Sequence, residues 1–324
     1  MLLNCPYECL EMSVFIQKNY ERDFMNRERL VWMNGALKTD EHAKVPILSH
    51  SFSRGSAIFE SLGVHESSKG PKAFRLDRHI CRLEHSAELL GMEMKYCHEQ
   101  IIEAVSQTVR ANNIGRGLIK IMAYWGHEAV VDLVPQGPLD LAVFAIPNGG
   151  ELHLDEPTPI STCLSKWRKL HPSTVPLEAK AVGNYLNGYL ARKDALDRGF
   201  DIGLLQDENG FVAEGSTESV FIVKDGSLLT PPLGGILSGI SRMTILELVP
   251  HLKIPILEQE IRVEDLRSAD EMFTAHSGVK VHPVYKFEEH DFPVPGPITE
   301  RLMQTMEDVL SFRDDRFSHF FQSL

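Results

Sequence analysis

The sequence predicts an α+β protein that is built from two domains. Its 324 residues exceed what one ordinary hydrophobic core organises, and helical and strand-like patterns occur in both halves of the chain. A polar, turn-rich segment at 148–157 separates the two halves. We therefore expect an N-terminal extension at 1–28, a smaller α/β domain at 29–147, a linker at 148–157 and a larger, β-rich domain at 158–324.

The elements of the first half follow from turn residues and from apolar periodicity. Asn34-Gly35 stands between two short apolar runs, which is the signal of a β-hairpin. Apolar residues then recur at helical spacing in two segments, and Gly91 stops the first of them. After the hairpin, the predicted elements are a strand, turn and strand at 59–76, helices at 79–91 and 98–112, and strands at 118–124 and 139–147.

The second half reads as strands interrupted by helices. Asp207–Gly210 and Asp225-Gly226 are turn signals, and they divide the segment 201–232 into three predicted strands. Pro297 and Thr299 are typical of the start of a helix. The other predicted elements are a helix at 183–199, a helix from about Ser238, a strand, turn and strand at 270–284, and a last helix at about 297–313.

Composition excludes several classes of function. The formal net charge is -12 and no basic run occurs, so a nucleic acid is not an expected partner. The five cysteines form no CxxC pair, so neither a zinc ribbon nor a dithiol redox motif is expected, and a reducing cytosol fits best. No apolar window reaches the length of a membrane span. The sequence predicts a soluble, cytoplasmic protein without a metal.

Lys180 and Glu214 are the residues whose surroundings suggest chemistry. Lys180 precedes a Gly-Asn-Tyr turn into a helix, and a partly buried lysine loses its proton easily and attacks carbonyl groups. Glu214 is a carboxylate in an otherwise apolar strand pair, where an ionised group needs a cationic partner such as a protonated pyridine. From the residues alone, a solvated lysine and an exposed strand glutamate remain alternatives.

Three further segments could bind phosphate. Gly239, Ile240 and Ser241 open a helix, where free N–H groups bind anions, and the turn that contains Ser277 adds a hydroxyl. Arg82 lies close to the apolar stripe of its helix, and could face a phosphate inside or carboxylates near Glu84 outside. A phosphate site, a partner for a pyridine nitrogen and a reactive amine are together what pyridoxal phosphate (PLP) requires.

At this point the sequence resembles the class IV PLP enzymes, which share fold type IV. The resemblance runs from about Val31 to Val284, and three blocks carry it. The blocks are FRLDRHICRLEHSAELLGM, EAKAVGNYLNGYLARKDALDRGFD and GFVAEGSTESVFIVKDGSLLTPPLGGILSGISRMTILEL. The family includes branched-chain amino acid aminotransferases, D-amino acid aminotransferases and aminodeoxychorismate lyase, and the branched-chain branch looks most similar.

The resemblance implies a role for each matching position. Lys180 matches the lysine that forms an imine with PLP, Tyr185 the tyrosine on its phenolic oxygen, and Glu214 the carboxylate on its ring nitrogen. The phosphate would be bound by Arg82, Ile240, Ser241 and Ser277. It also implies a homodimer in which the second subunit completes the substrate pocket.

The substrate side departs from the branched-chain pattern HYGxxxFEGxR. Arg54 replaces the tyrosine, Gly63 replaces the final arginine, and Lys120 stands where a Tyr-x-Arg strand has arginine. We predict that Arg54, Phe59 and Lys120 bind the substrate, with Arg54 gripping its carboxylate from the same subunit or its neighbour. The leading hypothesis is transamination from a branched-chain L-amino acid to 2-oxoglutarate. The alternatives are an aminodeoxychorismate-type lyase, suggested by Lys120, and a D-amino acid or amine transaminase.

Overall fold

The computed structural model describes residues 29–149 and 152–324. The predicted extension at 1–28 and residues 150 and 151 of the predicted linker lie outside the described residues. Two β-sheets with helices packed against them form the described chain, so the predicted α+β fold is confirmed.

Sixteen strands and seven α-helices make up the described ranges. The strands are β1 Leu30–Met33, β2 Ala36–Thr39, β3 Ile58–Ser67, β4 Gly70–Phe74, β5 Gly117–Tyr124, β6 Asp140–Pro147, β7 Ile160–Arg168, β8 Ile202–Gln206, β9 Val212–Glu214, β10 Ser219–Lys224, β11 Ser227–Thr230, β12 Ile256–Glu258, β13 Glu271–Ala275, β14 His282–Phe287, β15 His290–Asp291 and β16 Phe321–Ser323. The helices are α1 His50–Arg54, α2 Leu76–Leu89, α3 His98–Ala111, α4 Tyr185–Asp197, α5 Ile240–Leu248, α6 Val263–Arg267 and α7 Pro297–Leu310. None of these helices is long and apolar enough to cross a bilayer.

The first sheet has seven strands in the order β16-β4-β3-β5-β6-β1-β2, and every pair is antiparallel. Asn34 and Gly35 have positive φ angles, as the predicted hairpin turn requires. Leu62, Ile80 and Val105, from β3, α2 and α3, are fully buried in one cluster. Because side chains alternate along a strand, the other face of β3 is free to line a site.

The second sheet has nine strands, eight of them in the order β12-β11-β10-β13-β14-β7-β8-β9, with β15 paired to β14. The prediction of three strands in 201–232 is wrong, because β8, β9, β10 and β11 all fall in this segment. A turn separates β9 from β10: Gly215 N–H donates to the Glu218 carbonyl, and the Glu218 side chain accepts from Thr217 N–H. The extra break ends β9 at Glu214.

The two sheets divide the chain near the predicted linker. All strands of the first sheet except β16 precede residue 148, and all strands of the second follow residue 157. The last strand returns to the first sheet, where Phe321 pairs with Phe74. The domain boundaries remain a prediction, which this distribution of strands supports.

Helix α4 packs unusually close to the second sheet. A Cβ on Gly203 would lie 2.3 Å from the carbonyl oxygen of Ala191, so only glycine permits this approach. This contact sets the distance between strand β8 and helix α4, whose first residue is Tyr185. Gly203 of β8 thus helps to position Tyr185.

Candidate active site

A cavity of about 290 Å³ opens between residues of the two sheets. Eight of the ten residues that the sequence predicts for the site line this cavity, and Lys120 and Arg54 are the other two. The eight are Phe59, Arg82, Lys180, Tyr185, Glu214, Ile240, Ser241 and Ser277.

Two hydrogen bonds hold the backbone of Lys180, and its amine has a lowered pKa. Its carbonyl accepts from Phe59 N–H at 3.1 Å, and its N–H donates to the Ser86 hydroxyl at 3.0 Å. Burial and the nearby Arg82 guanidinium lower the pKa of Lys180 to about 7. The alternative of a solvated surface lysine is therefore wrong, and a large fraction of the amine is unprotonated at neutral pH.

Tyr185 stands beside this amine. The Lys180 amine nitrogen lies 2.5 Å from the Tyr185 hydroxyl, and the rings of Tyr185 and Phe59 are 4.8 Å apart between centroids. Burial raises the pKa of Tyr185 above its ordinary value, so its hydroxyl keeps its proton and can donate a hydrogen bond.

Arg82 faces inward and is held by a fully buried carboxylate. Its Nε and one terminal nitrogen each donate to Glu60 at 2.7 Å, and its other terminal nitrogen donates to the Ser238 carbonyl at 2.7 Å. Burial raises the pKa of Glu60, but Arg82 and His79 outweigh it and bring that pKa down to about 2. The alternative of a surface pair with Glu84 is wrong.

Glu60 and His79 are site residues that the sequence prediction did not include. His79 Nδ1 lies 2.6 Å from the Glu60 carboxylate, and both side chains are buried. A signal for them exists, because a glutamate in the apolar strand IFESLGV needs partners and the helix segment RHICR places a histidine and an arginine three residues apart on one face.

Glu214 has a cationic partner inside the protein. The Lys169 ammonium donates to one carboxylate oxygen, and Leu237 N–H donates to the other at 3.3 Å. Both side chains are largely buried, so the alternative of an exposed strand residue is wrong. Lys169 was not predicted, because no local pattern brings the end of β7 next to β9. The geometry places a carboxylate that is paired with an ammonium at the cavity wall.

Two backbone segments at one end of the cavity have the features that suit an anion. Helix α5 begins at Ile240 without a side-chain cap, so the N–H groups of its first turn point outward. A Cβ at Gly239 would lie 2.7 Å from the Ser219 hydroxyl, and glycine is needed there. Ser277 and Gly278 line the same cavity. Together with Arg82, these groups suit a phosphate.

Of the three residues predicted for the substrate, Phe59 and Lys120 lie close together, and Arg54 lies elsewhere. Phe59 lines the cavity, and the Lys120 ammonium lies 4.7 Å from its ring centroid. Burial lowers the pKa of Lys120.

The structure does not bring Arg54 into the cavity. Its guanidinium donates to the carbonyl oxygens of Ala129 and Val130 at 2.9 and 3.0 Å, and these contacts occupy it at the surface. Within its own subunit Arg54 therefore does not reach a substrate in this cavity, and a contact with the substrate of the neighbouring subunit stays a prediction.

The class IV amino-transferase family profile matches residues 57–287. The branched-chain-amino-acid aminotransferase of Salmonella typhimurium is 34% identical over 281 residues, which are 85% of this chain and 90% of the relative. The Escherichia coli K12 enzyme of the same name is 33% identical over 279 residues, again 85% and 90% of the two chains.

Solved structures agree with these relatives. The branched-chain aminotransferase of Thermoproteus uzoniensis with norvaline has a TM-score of 0.86 and 33% identity, and the match covers 91% of this chain and 98% of that one. The T.th. branched-chain amino acid aminotransferase complexed with N-(5'-phosphopyridoxyl)-L-glutamate has a TM-score of 0.84 and 31% identity, with coverage of 91% and 98%.

The fold and the site together define a transaminase of fold type IV. The chain belongs to the class IV aminotransferases, and it is a PLP-dependent enzyme. The residues present fit this cofactor, because the cavity combines a buried amine of lowered pKa, a carboxylate paired with an ammonium, and backbone N–H, hydroxyl and guanidinium groups that suit a phosphate.

The reactivity of Lys180 should follow its lowered pKa. We expect the cofactor-free protein to react with PLP at a rate that rises with pH through about 7 and then levels off, since the unprotonated amine is the nucleophile. Stopped-flow absorbance measures this rate, with Lys180→Met as the control that removes the reaction. A midpoint near the ordinary lysine pKa of about 10.4 would contradict the assigned surroundings.

Proposed function

We propose that this enzyme transfers the amino group of branched-chain L-amino acids to 2-oxoglutarate, with Lys180 as the catalytic residue. The observation that supports this most is the contact of the Lys180 amine, whose pKa is lowered to about 7, with Tyr185 in a cavity that also contains Glu214. The names of the relatives support the choice of donor, and the donor and acceptor pair is the one that the resemblance to the family implies.

In this proposal each wall of the cavity serves one part of the cofactor. Tyr185 would hydrogen-bond the phenolic oxygen, and Glu214 would keep the ring nitrogen protonated. Ile240, Ser241 and Ser277 bind the phosphate. Arg82 uses three of its five N–H donors on Glu60 and Ser238, so two remain for the phosphate.

Lys180 would move the proton that transamination requires. The bound cofactor supplies an electron sink for the substrate carbon. Because the pKa of Lys180 is about 7, its amine accepts and returns a proton with little penalty near neutral pH. Glu60 is not in contact with the reacting atoms in this scheme. It orients Arg82 and partly offsets the effect of Arg82 on Lys180.

The substrate would lie on the outward face of β3 and β5. Phe59, Leu118 and Leu152 give this part of the cavity an apolar lining, which suits an aliphatic side chain. Lys120 sits opposite Ser61 in the strand register, and the structure shows no hydrogen bond or ion pair for its ammonium within 29–149 and 152–324. We propose that Lys120 attracts the substrate carboxylate.

One observation favours a second candidate. Lysine supplies a point charge where the branched-chain pattern has arginine, and arginine alone makes a bidentate contact with a carboxylate. An aminodeoxychorismate-type lyase, in which Ser61 would act near the reacting carbon, remains the alternative for this reason. Ser61 lines the cavity beside Phe59.

We also propose that the enzyme is a cytoplasmic homodimer. Cys81, Cys97 and Cys163 are free thiols, which suits a reducing compartment. The hydrogen bonds of Arg54 connect the segment after β2 to the loop after β5. Both of these segments carry exposed apolar side chains, which we call the apolar cluster. A second subunit would cover this cluster, which consists of Ile47, Leu48, Phe52, Val130, Val131, Leu133 and Val134.

The proposed reaction predicts glutamate formation from 2-oxoglutarate with leucine, isoleucine or valine as the donor. We expect turnover with all three donors, because an aliphatic side chain matches the apolar lining. Release of 4-aminobenzoate from aminodeoxychorismate, without glutamate formation in the first assay, would promote the lyase instead. Activity only with D-alanine or a simple amine would move the enzyme to another branch of the family.

Removal of the Lys120 charge should weaken substrate binding more than catalysis. A charge-assisted contact contributes about 1.5–3 kcal/mol, so we expect Lys120→Met to raise KM by about tenfold or more while PLP occupancy stays complete. Steady-state kinetics with each donor measures the effect. Lys72→Met is the matched control, because the Lys72 ammonium also lies over a ring, 5.3 Å from the centroid of Phe312. An equal effect in both variants would remove Lys120 from the substrate site.

The apolar cluster predicts a dimer in solution. We expect light scattering to give twice the mass of the 36.5 kDa chain. Val131→Glu should shift the protein toward monomer, since the side chain is 87% exposed in the single chain and a buried charge is costly. Leu196→Glu, at an exposed position of α4, is the control. A monomeric wild-type enzyme would refute the proposal.

A further inference from the structure

We infer that Lys280 and Asp155 hold the phosphate-binding turn 276–279 from behind, and that Lys280 is a positioning residue for the phosphate of the cofactor. The inference rests on the proposed role of Ser277. It concerns a pair of charges that does not line the cofactor cavity and that no step of the reaction uses.

Two hydrogen bonds tie this turn to Lys280 and Asp155, and a third joins those two residues to each other. The Lys280 ammonium donates to the Ser277 carbonyl at 2.9 Å and to the Asp155 carboxylate at 3.0 Å. The backbone N–H of Asp155 donates to the Gly278 carbonyl at 2.9 Å. The carbonyl oxygens of Ser277 and Gly278 therefore point toward Lys280 and Asp155. Because they are held there, they do not point toward the phosphate site, where a carbonyl oxygen would repel a phosphate.

The support is buried and specifically built. Lys280 is 2% exposed, and its ammonium lies 5.4 Å from the ring centroid of Phe74 in the first sheet. Asp155 adopts a positive φ angle of 58°, which few residues other than glycine, asparagine and aspartate accept. In this backbone conformation the N–H of Asp155 bonds the turn directly, and its carboxylate bonds Lys280.

Gly63 leaves room for this arrangement on the first sheet. A Cβ at position 63 would lie 2.8 Å from His65 Nε2 and 3.5 Å from the Lys280 ammonium. His65 is itself buried, with Nε2 3.8 Å from the second Asp155 oxygen. Strand β3 thus meets the back of the turn at a position where only a residue without a side chain fits easily.

Stability alone does not account for the pair. Burying an ammonium and a carboxylate carries a desolvation penalty that their attraction often fails to recover, and an apolar pair of similar volume is frequently as stable. A positioning role does account for it, because an ammonium both fixes the Ser277 carbonyl and adds positive potential behind a site for a phosphate dianion.

The test compares PLP with pyridoxal, which lacks the phosphate. We expect Lys280→Met to raise the PLP dissociation constant by about tenfold, the effect of losing one charge-assisted contact, and to change the pyridoxal constant less than about twofold. The phosphorus resonance of bound PLP should shift as well. Lys224→Met is the matched control, since Lys224 also lies 3.0 Å from an aspartate, Asp265, but far from the turn.

A second variant covers the case in which the first fails to fold. Lys280→Met combined with Asp155→Asn removes both charges and leaves no unpaired buried carboxylate, and it should show the same selective loss of PLP. Equal losses for PLP and pyridoxal, or unchanged PLP affinity in a folded variant, would overturn the inference. Ser277→Ala tests the proposed phosphate assignment separately: unchanged PLP affinity there would refute that assignment instead.

Discussion

The ion pair of Glu60 and Arg82 is the contact on which the rest of the site depends. Both side chains are buried, and loss of one partner from such a pair costs about 3–5 kcal/mol because the other charge is left without compensation. The pair fixes the guanidinium on the first sheet, and a further donor reaches Ser238, just before α5. Arg82 thereby links the segment before α5, where we propose that the phosphate binds, to strand β3 of the first sheet.

Strand β3 serves the site with both of its faces. Glu60 points toward α2, where it meets Arg82 and His79, while Phe59 lines the cavity on the other face. The backbone of the same strand also contacts the Lys180 segment through the Phe59 N–H. The amine therefore stands close enough to Arg82 for that charge to add to the effect of burial, and the two together lower its pKa. The lowered pKa of Lys180 therefore depends on its position beside strand β3.

The sequence predicted the hairpin and five of the seven α-helices, because periodicity and turn residues are short-range signals, but it missed the short helices α1 and α6. Eight of the ten residues that it predicted for the site line one cavity, and their roles toward the cofactor stay predictions. It could not predict Lys169 beside Glu214 or Lys280 beside Asp155, since these pairs join segments that only the fold brings together. Arg54 failed as a substrate residue within its own subunit for the same reason: its partners are carbonyl oxygens of a loop 75 residues away in the chain. The break after Glu214 was missed although Gly215, Ser216 and Thr217 are residues typical of a turn, which the side chain of Glu218 holds.

The central proposal is that the fold makes one lysine of this chain, Lys180, the residue that binds PLP covalently. Borohydride reduction of the enzyme as purified with PLP, followed by peptide mapping, measures this directly. We predict a single reduced adduct on Lys180, because burial and Arg82 lower the pKa of its amine to about 7 and it lines the same cavity as the groups proposed for the phosphate. A dominant adduct on another lysine, such as Lys120 or Lys169, would contradict the proposal.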